Sequence, residues 1–162
     1  MIRMGKLTDY GIVLMSYLAS KTYQKHSAHT LSEAVQMPLP TVRKVLKALS
    51  QGGLLISERG AQGGYNLSRN PKLISVAEII TAIEGPIALT ECVSTESHCE
   101  QESHCDVQTN WTRINNAVSH ALDEVKLSDM LVPHTSDESP IHFYPSASKV
   151  ELATLQDGEL HG

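Results

Sequence analysis

All three cysteines of the chain, Cys92, Cys99 and Cys105, lie within "ECVSTESHCEQESHCDVQTNW", residues 91 to 111. Six residues separate the first pair and five the second, and His98 and His104 immediately precede the last two thiols. Thiolates are ligands for soft metals: the bound cation deprotonates the thiol and is neutralised by it in turn. Three cysteines spaced this way can converge on one metal centre. Structural zinc and iron–sulfur clusters ordinarily take four protein ligands, so a fourth donor is needed. Glu91, Glu96, Glu100, Glu102 and Asp106 surround the thiols. Nearby carboxylates raise thiol pKa values, which argues against three free reactive thiolates and is compatible with a cation-held site. A metal centre is the reading this chemistry favours, with free or redox-active thiols and inert structure as the alternatives.

The rest of the chain must position that loop. At 162 residues it suits one compact domain plus an appendage, and its 41% apolar and 4% aromatic content implies a mostly aliphatic core. An odd number of cysteines fits poorly with a secreted disulfide framework. The opening "MIRMGKLTDYG" holds no apolar signal core, and no run approaches the roughly 18 apolar residues of a membrane span. A cytoplasmic location is the expectation. The net charge of −5 hides an asymmetry: residues 1–75 carry ten basic and three acidic side chains, and residues 76–162 carry three basic and fifteen acidic ones. The first part is therefore +7 and suited to a polyanion, while the second is −12.

Residues 8–20 read as a helix with Thr8 as N-cap and an apolar stripe through Val13, Leu14, Tyr17 and Leu18. After a polar stretch, "TLSEAVQM" opens a short second helix with an expected capping box between Thr30 and Glu33. Pro38 and Pro40 forbid its continuation, and Pro40 is tolerated in the first turn of a new helix. In "TVRKVLKALSQGG", Val42, Val45, Leu46 and Leu49 form a buried stripe, and Arg43, Lys44 and Lys47 share the other side. A short helix, a tight turn and a basic amphipathic helix make a helix-turn-helix, whose second helix is the one that enters the DNA major groove. "LLISERGAQGGYNLS" then reads as a hairpin, strands Leu54–Glu58 and Tyr65–Ser68, with Arg59 at its tip. A hairpin directly after a recognition helix is a wing, and an arginine there suits a narrow minor groove.

A capping box of Ser75 with Glu78 starts another helix that ends at Gly85, and the cysteine loop follows. "VQTNWTRINNAVSHALDEVKLSDML" gives a long helix with Trp111, Ile114, Val118, Ala121, Leu122 and Val125 at three- and four-residue steps. It has little of its own chain left to cover it, so packing on a second copy is expected, with packing on the first helix as the alternative. Residues beyond 132 are polar, interrupted by Pro133, Pro140 and Pro145, and read as a disordered tail. The expected fold is mainly α with a small β-hairpin. It divides into a winged helix-turn-helix unit (1–85), a cysteine loop (86–108), a dimerisation helix (109–131) and the tail (132–162).

Four pieces in order, "KLTDYGIVLMSYLA", the helix-turn-helix, "RGAQGGY" and the three-cysteine loop ahead of a helix containing Trp111, together resemble the IscR/NsrR-like winged-helix regulators that carry an iron–sulfur cluster. The resemblance covers residues 1–131, and its closest look is to the Suf-type regulators of cluster assembly. It implies a homodimer with crossing C-terminal helices that binds double-stranded DNA at an inverted repeat. It also implies Cys92, Cys99 and Cys105 as ligands of a cluster, [2Fe–2S] in preference to [4Fe–4S]. Arg59 would be the wing contact, and Thr41, Arg43, Lys44 and Lys47 the candidates on the recognition helix. The pattern departs in two places: Gln108 stands where the IscR branch has a histidine three positions after the third cysteine, and the first cysteine gap is one residue longer. His104, His98 and Asp9 are the candidates for the fourth ligand, and Asp9 looks like the NsrR-type ligand donated across a dimer. Asp9 can equally be an acid favoured by the helix macrodipole. Rival readings on the same fold are a zinc- or thiol-based redox or nitric-oxide sensor and a cofactor-free winged helix used for protein contacts. No nucleophile–base pair, phosphate-binding glycine loop or pair of catalytic acids points to an enzyme.

Overall fold

The computed structural model describes residues 4–21, 24–60, 63–93 and 107–131. Its elements are α1 (Lys6–Ser20), α2 (Ala28–Ala34), α3 (Leu39–Gln51), β1 (Leu55–Glu58), β2 (Gly64–Leu67), α4 (Val76–Glu84) and α5 (Gln108–Glu124). Short 3-10 turns lie at Pro71–Leu73, Glu91–Val93 and Asp129–Leu131. The mainly helical fold with one antiparallel hairpin is the expected one. Leu55 pairs with Leu67 and Glu58 with Gly64 across the hairpin. Cys99, Cys105, His98, His104 and the tail expectation fall outside the described residues, and of Cys92 only its place in the 3-10 turn is described.

The expected stripe of α3 is buried: Val42, Val45, Leu46 and Leu49 are at most 1% exposed. They meet Leu14, Met15 and Leu18 of α1, Leu31 of α2, and Ile74 and Ile79 around α4 in one aliphatic core. On α1 the stripe is rotated from the expected one. Val13 faces solvent and Met15 is buried, because the face toward α4 runs through Gly11, Leu14, Met15 and Leu18.

Two expected caps are corrected. The N-cap of α1 is Gly5, and Thr8 is buried inside the first turn, where its hydroxyl donates to Glu84 Oε1. The same oxygen accepts from the Gly5 N–H at 2.8 Å, so a carboxylate from α4 supplies the cap that Thr8 does not. Likewise α2 starts one turn early: Ser27, not Thr30, is the cap and accepts from the Thr30 N–H at 3.1 Å. Glu33 is then free of the capping role and lies 3.4 Å from His29 on the exposed helix surface. The Ser75–Glu78 capping box is present as expected.

Candidate nucleic-acid interface and thiol loop

The polar side of α3 is built by exclusion. Its apolar residues are committed to the core, so Arg43, Lys44 and Lys47 are exposed, with Thr41 half-buried beside them. Among the described residues none of these three cations has an ion-pair partner. The turn before α3 is held by Ser32, whose backbone carbonyl accepts from the Met37 N–H at 3.1 Å, and by Gln36 in the left-handed region at φ 53°. Pro38 caps α3 and fixes where the basic helix begins.

The hairpin is fastened to the rest of the unit by a residue the sequence did not single out. His26 forms an antiparallel bridge with Tyr65, its N–H donating to Tyr65 O at 3.1 Å and its carbonyl accepting from Tyr65 N at 2.8 Å. The imidazole is buried at 8% exposure, edge-on to Tyr17 with ring centroids 5.5 Å apart. This bridge explains the second glycine of the pair in "RGAQGGY", since a Cβ on Gly64 would come within 2.8 Å of the His26 carbonyl oxygen, whereas one on Gly63 would collide with the Glu58 carbonyl oxygen within the hairpin itself. Gly60, at φ 113°, turns the chain out of β1 in a conformation other residues rarely adopt. Arg59 lies exposed between β1 and that turn. Glu58, the one acid of the hairpin, is neutralised by Lys25 at 2.6 Å. Not every cation of the basic half faces outward for a polyanion: Arg69 is bound to Glu78 of α4. Burial opposes ionisation of Glu78. The Ser75 N–H and the Arg69 guanidinium outweigh it and hold the carboxyl below its ordinary value.

The thiol loop leaves from α4 and returns at α5. Gly85, at φ 91°, ends α4, and residues 86–90 lead into the 3-10 turn Glu91–Val93 that carries Cys92 and packs on α5. Asn115 of α5 is buried at 9% exposure. Its carboxamide donates to Ile87 O at 3.0 Å and accepts from Leu89 N at 3.0 Å. The far end of α5 is fastened as well: Val76 N donates to Val125 O at 2.9 Å, Leu127 N donates to Ile74 O at 2.8 Å, and the Leu127 side chain is fully buried in the aliphatic core. Ser75 also hydrogen-bonds Asp123, which with Lys126 lowers that carboxyl's pKa.

Between these anchors the apolar face of α5 is largely uncovered. Trp111 is 38% and Ile114 46% exposed, Val107 just before the helix is exposed too, and Val118, Ala121, Leu122 and Val125 are half-buried. Packing against α1, the alternative to a second copy, does not cover them, for the principal neighbour of α5 is α4. Asp9 is exposed in the first turn of α1. The described residues hold no grouping of three or more His, Cys, Asp or Glu able to take a metal ion. The nucleic-acid candidates are thus brought onto α3 and the hairpin that follows it, whereas the proposed thiol ligands are not brought together within the described part.

Residues 4–133 match the family model described as Rrf2, iron-dependent transcriptional regulator. The chain belongs to the Rrf2 family. It is similar to the HTH-type transcriptional regulator CymR of Bacillus subtilis, with 29% identity over 83% of this chain and 94% of that one. The solved structure of that protein, described as the global cysteine regulator of B. subtilis, has a TM-score of 0.62, with 28% identity over 81% of this chain and 97% of that one. It is also similar to the HTH-type transcriptional regulator IscR of Aliivibrio salmonicida, 29% identical over 63% of this chain and 60% of that protein's length. The structure of T. potens IscR has a TM-score of 0.60 and 27% identity, covering 80% of this chain and 86% of that one. This Rrf2 protein is a winged-helix, DNA-binding transcriptional regulator, and among its described residues no helix is long and apolar enough to cross a membrane.

Proposed function

We propose that this Rrf2 protein is a cytoplasmic homodimer whose affinity for its operator depends on an iron–sulfur cluster held by Cys92, Cys99 and Cys105, and that it controls genes for building such clusters. The observation that carries the reading is the position of the thiols. All three fall in the one segment that joins the winged unit to α5, with the chain fixed on α5 on both sides of it. A ligand there can bias how the DNA-reading unit and the pairing helix sit together, which is what allosteric control requires.

The donor set fits such a group. Three soft thiolates and one harder ligand suit a cluster more labile than an all-cysteine one, and [2Fe–2S] is the preferred form. His104, His98 and Asp9 remain the fourth-ligand candidates. Asp9 has an exposed carboxylate with no ion pair among the described residues, so a partner subunit's loop can reach it. In this reading residues 1–85 read DNA, 86–108 hold the cluster and 109–131 pair the subunits through the stripe of Trp111, Ile114 and Val118. Thr41, Arg43, Lys44 and Lys47 enter the major groove and Arg59 the adjacent minor groove. Two-fold symmetry then calls for an inverted-repeat operator with half-sites about one helical turn apart, or a multiple of it.

A second reading on the same fold is a zinc- or thiol-based redox sensor, or a nitric-oxide sensor. The likeness to CymR, described as a global cysteine regulator, extends over nearly that protein's whole length and keeps a regulator of other chemistry in view. Protein purified without oxygen separates the two. Visible sulfur-to-iron charge-transfer bands, iron matched by acid-labile sulfide, and different operator affinities for loaded and apo protein are the expected results. Colourless protein holding zinc or no metal after anaerobic reconstitution would move the cysteines to the second reading and leave the DNA-binding part standing.

A further inference from the structure

The geometry points to Asn115 as the positioning residue that holds the cysteine-bearing turn on α5 and sets how firmly the loop retains its inorganic group. This rests on the cluster reading above for the identity of that group, whereas the clamp itself is seen directly in the hydrogen bonds of Asn115. Asn115 is the one buried residue of α5, and both halves of its carboxamide are used, the Nδ2 on Ile87 O and the Oδ1 on Leu89 N. A donor and an acceptor presented to residues i and i+2 imitate the edge of a neighbouring strand. The carboxamides of Asn and Gln carry both groups on separate atoms of one planar unit. An alanine here would leave a carbonyl and an amide of a half-buried segment without partners.

Placement gives the clamp its consequence. Leu89 stands three residues before Cys92, and Gln108, where α5 starts, stands three residues after Cys105. Asn115 lies seven residues along α5 from Gln108, an axial distance of about 10 Å. Both ends of the thiol segment are therefore fixed on the same two turns of one helix. Fixing the ends of a loop removes part of the entropy that gathering its ligands would otherwise cost. At roughly 100° per residue, Asn115 also sits on the flank of the face that carries Trp111, Ile114 and Val118. A change in the 87–89 segment is thus felt where a second copy would pack.

The test compares Asn115→Ala and Asn115→Asp with Leu127→Ala, which loosens the other anchor of α5 without touching residue 89. The first readout needs no metal: amide hydrogen exchange of the apo protein. Asn115→Ala is expected to lose protection at Leu89 while Leu127, bonded to Ile74, stays protected. Asn115→Asp keeps the acceptor and should keep Leu89 protected. The second readout is iron release to a chelator from anaerobically reconstituted protein. Asn115→Ala should release iron about 10-fold faster than wild type, as loss of a supporting hydrogen bond does at metal sites, with Asn115→Asp between them. Leu127→Ala should stay near the wild-type rate. Unchanged exchange at Leu89 would overturn the clamp. Equal acceleration in Asn115→Ala and Leu127→Ala would reduce it to a general contribution to stability. If wild-type protein takes up no iron and sulfide, the cluster reading fails and the retention role falls with it, while the exchange result still decides whether the clamp exists.

Discussion

The winged unit and α5 solve the burial problem in opposite ways. In the first, apolar residues of four helices and the hairpin close on one another until Leu14, Leu31, Val42, Leu46, Leu49, Ile74 and Ile79 are completely removed from water. In α5 the arrangement is inverted: the buried residue is an asparagine, and the tryptophan and isoleucine that would make a core are open to solvent. A helix with its apolar face outward is incomplete alone, because exposing such a stripe forfeits the burial that keeps most protein helices folded. The winged unit covers its own apolar surface, and α5 leaves much of its own open.

The sharpest way to break this contrast is to charge the open face. Ile114→Glu places a carboxylate in the middle of the stripe that the proposed partner must bury. Unpaired burial of a charge is far costlier than the loss of one apolar contact. The expected outcome in sedimentation is a shift from dimer to monomer, with operator affinity falling about 100-fold or more as the second half-site is lost, and with the monomer's helical content retained. A variant that stays dimeric would mean that the second copy packs elsewhere and that the exposed stripe serves another purpose.

Leu127→Ala probes the place where the two regions meet. Residue 127 follows α5, yet its side chain is a full member of the winged unit's core. The substitution should therefore behave as a core truncation, costing about 2–5 kcal/mol in urea unfolding. A cost below about 1 kcal/mol, the range of surface changes, would show the helix end to be loosely attached and the two regions to be more independent than their hydrogen bonds imply.

What could be read from the sequence follows the same division. The helix-turn-helix was legible because its signals are local. Proline punctuates α3, a 3.6-residue period runs through Val42, Val45, Leu46 and Leu49, and glycines mark the wing. The box at Ser75 and Glu78 was legible for the same reason. The caps of α1 and α2 were misread where the answer was not local or lay one turn away. Glu84 reaches Gly5 and Thr8 across 76 or more positions of chain, and Ser27 sat inside a stretch polar enough to pass for a loop. Asn115 and His26 carried no signal at all, since an asparagine in a helix and a histidine in a loop are ordinary. Their importance comes from backbone groups of Ile87, Leu89 and Tyr65 that only tertiary structure brings near. The stripe of α5 was visible, but nothing in its period distinguishes a face that waits for a partner from one covered by its own chain.

Within the winged unit the contrast can be sharpened by asking which cations are free. Arg43, Lys44 and Lys47 project from α3 without partners among the described residues, whereas Lys25 and Arg69 are spent on Glu58 and Glu78. Lys47→Ala should weaken operator binding and lower the slope of log affinity against log salt by about 1, the signature of one lost phosphate contact. Lys25→Ala should leave that slope almost unchanged. An equal loss of slope in both variants would mean that the Lys25–Glu58 pair opens on DNA and that charge in the hairpin is read as a whole.

The smallest expected effect concerns the seam where Arg69 meets α4. Because the Glu78 carboxyl is held below its ordinary value of 4.5, its contribution to stability is present above that pH and is lost as pH falls through the lower folded value. Glu78→Gln isolates the charge, since glutamine at the third position preserves the capping box with Ser75. The pair is more than one-third exposed on both sides, so solvent screening limits its contribution to under about 1 kcal/mol. Asp123, whose carboxyl is also lowered, repels the Glu78 carboxylate, so its titration enters the difference only through that smaller coupling. The stability gap in urea unfolding should therefore be small at pH 7 and shrink toward zero as pH falls below 4.5 and through the lower folded value. A gap that persisted unchanged to pH 3 would assign the role of Glu78 to packing and capping, leaving Arg69 as one more cation available to DNA.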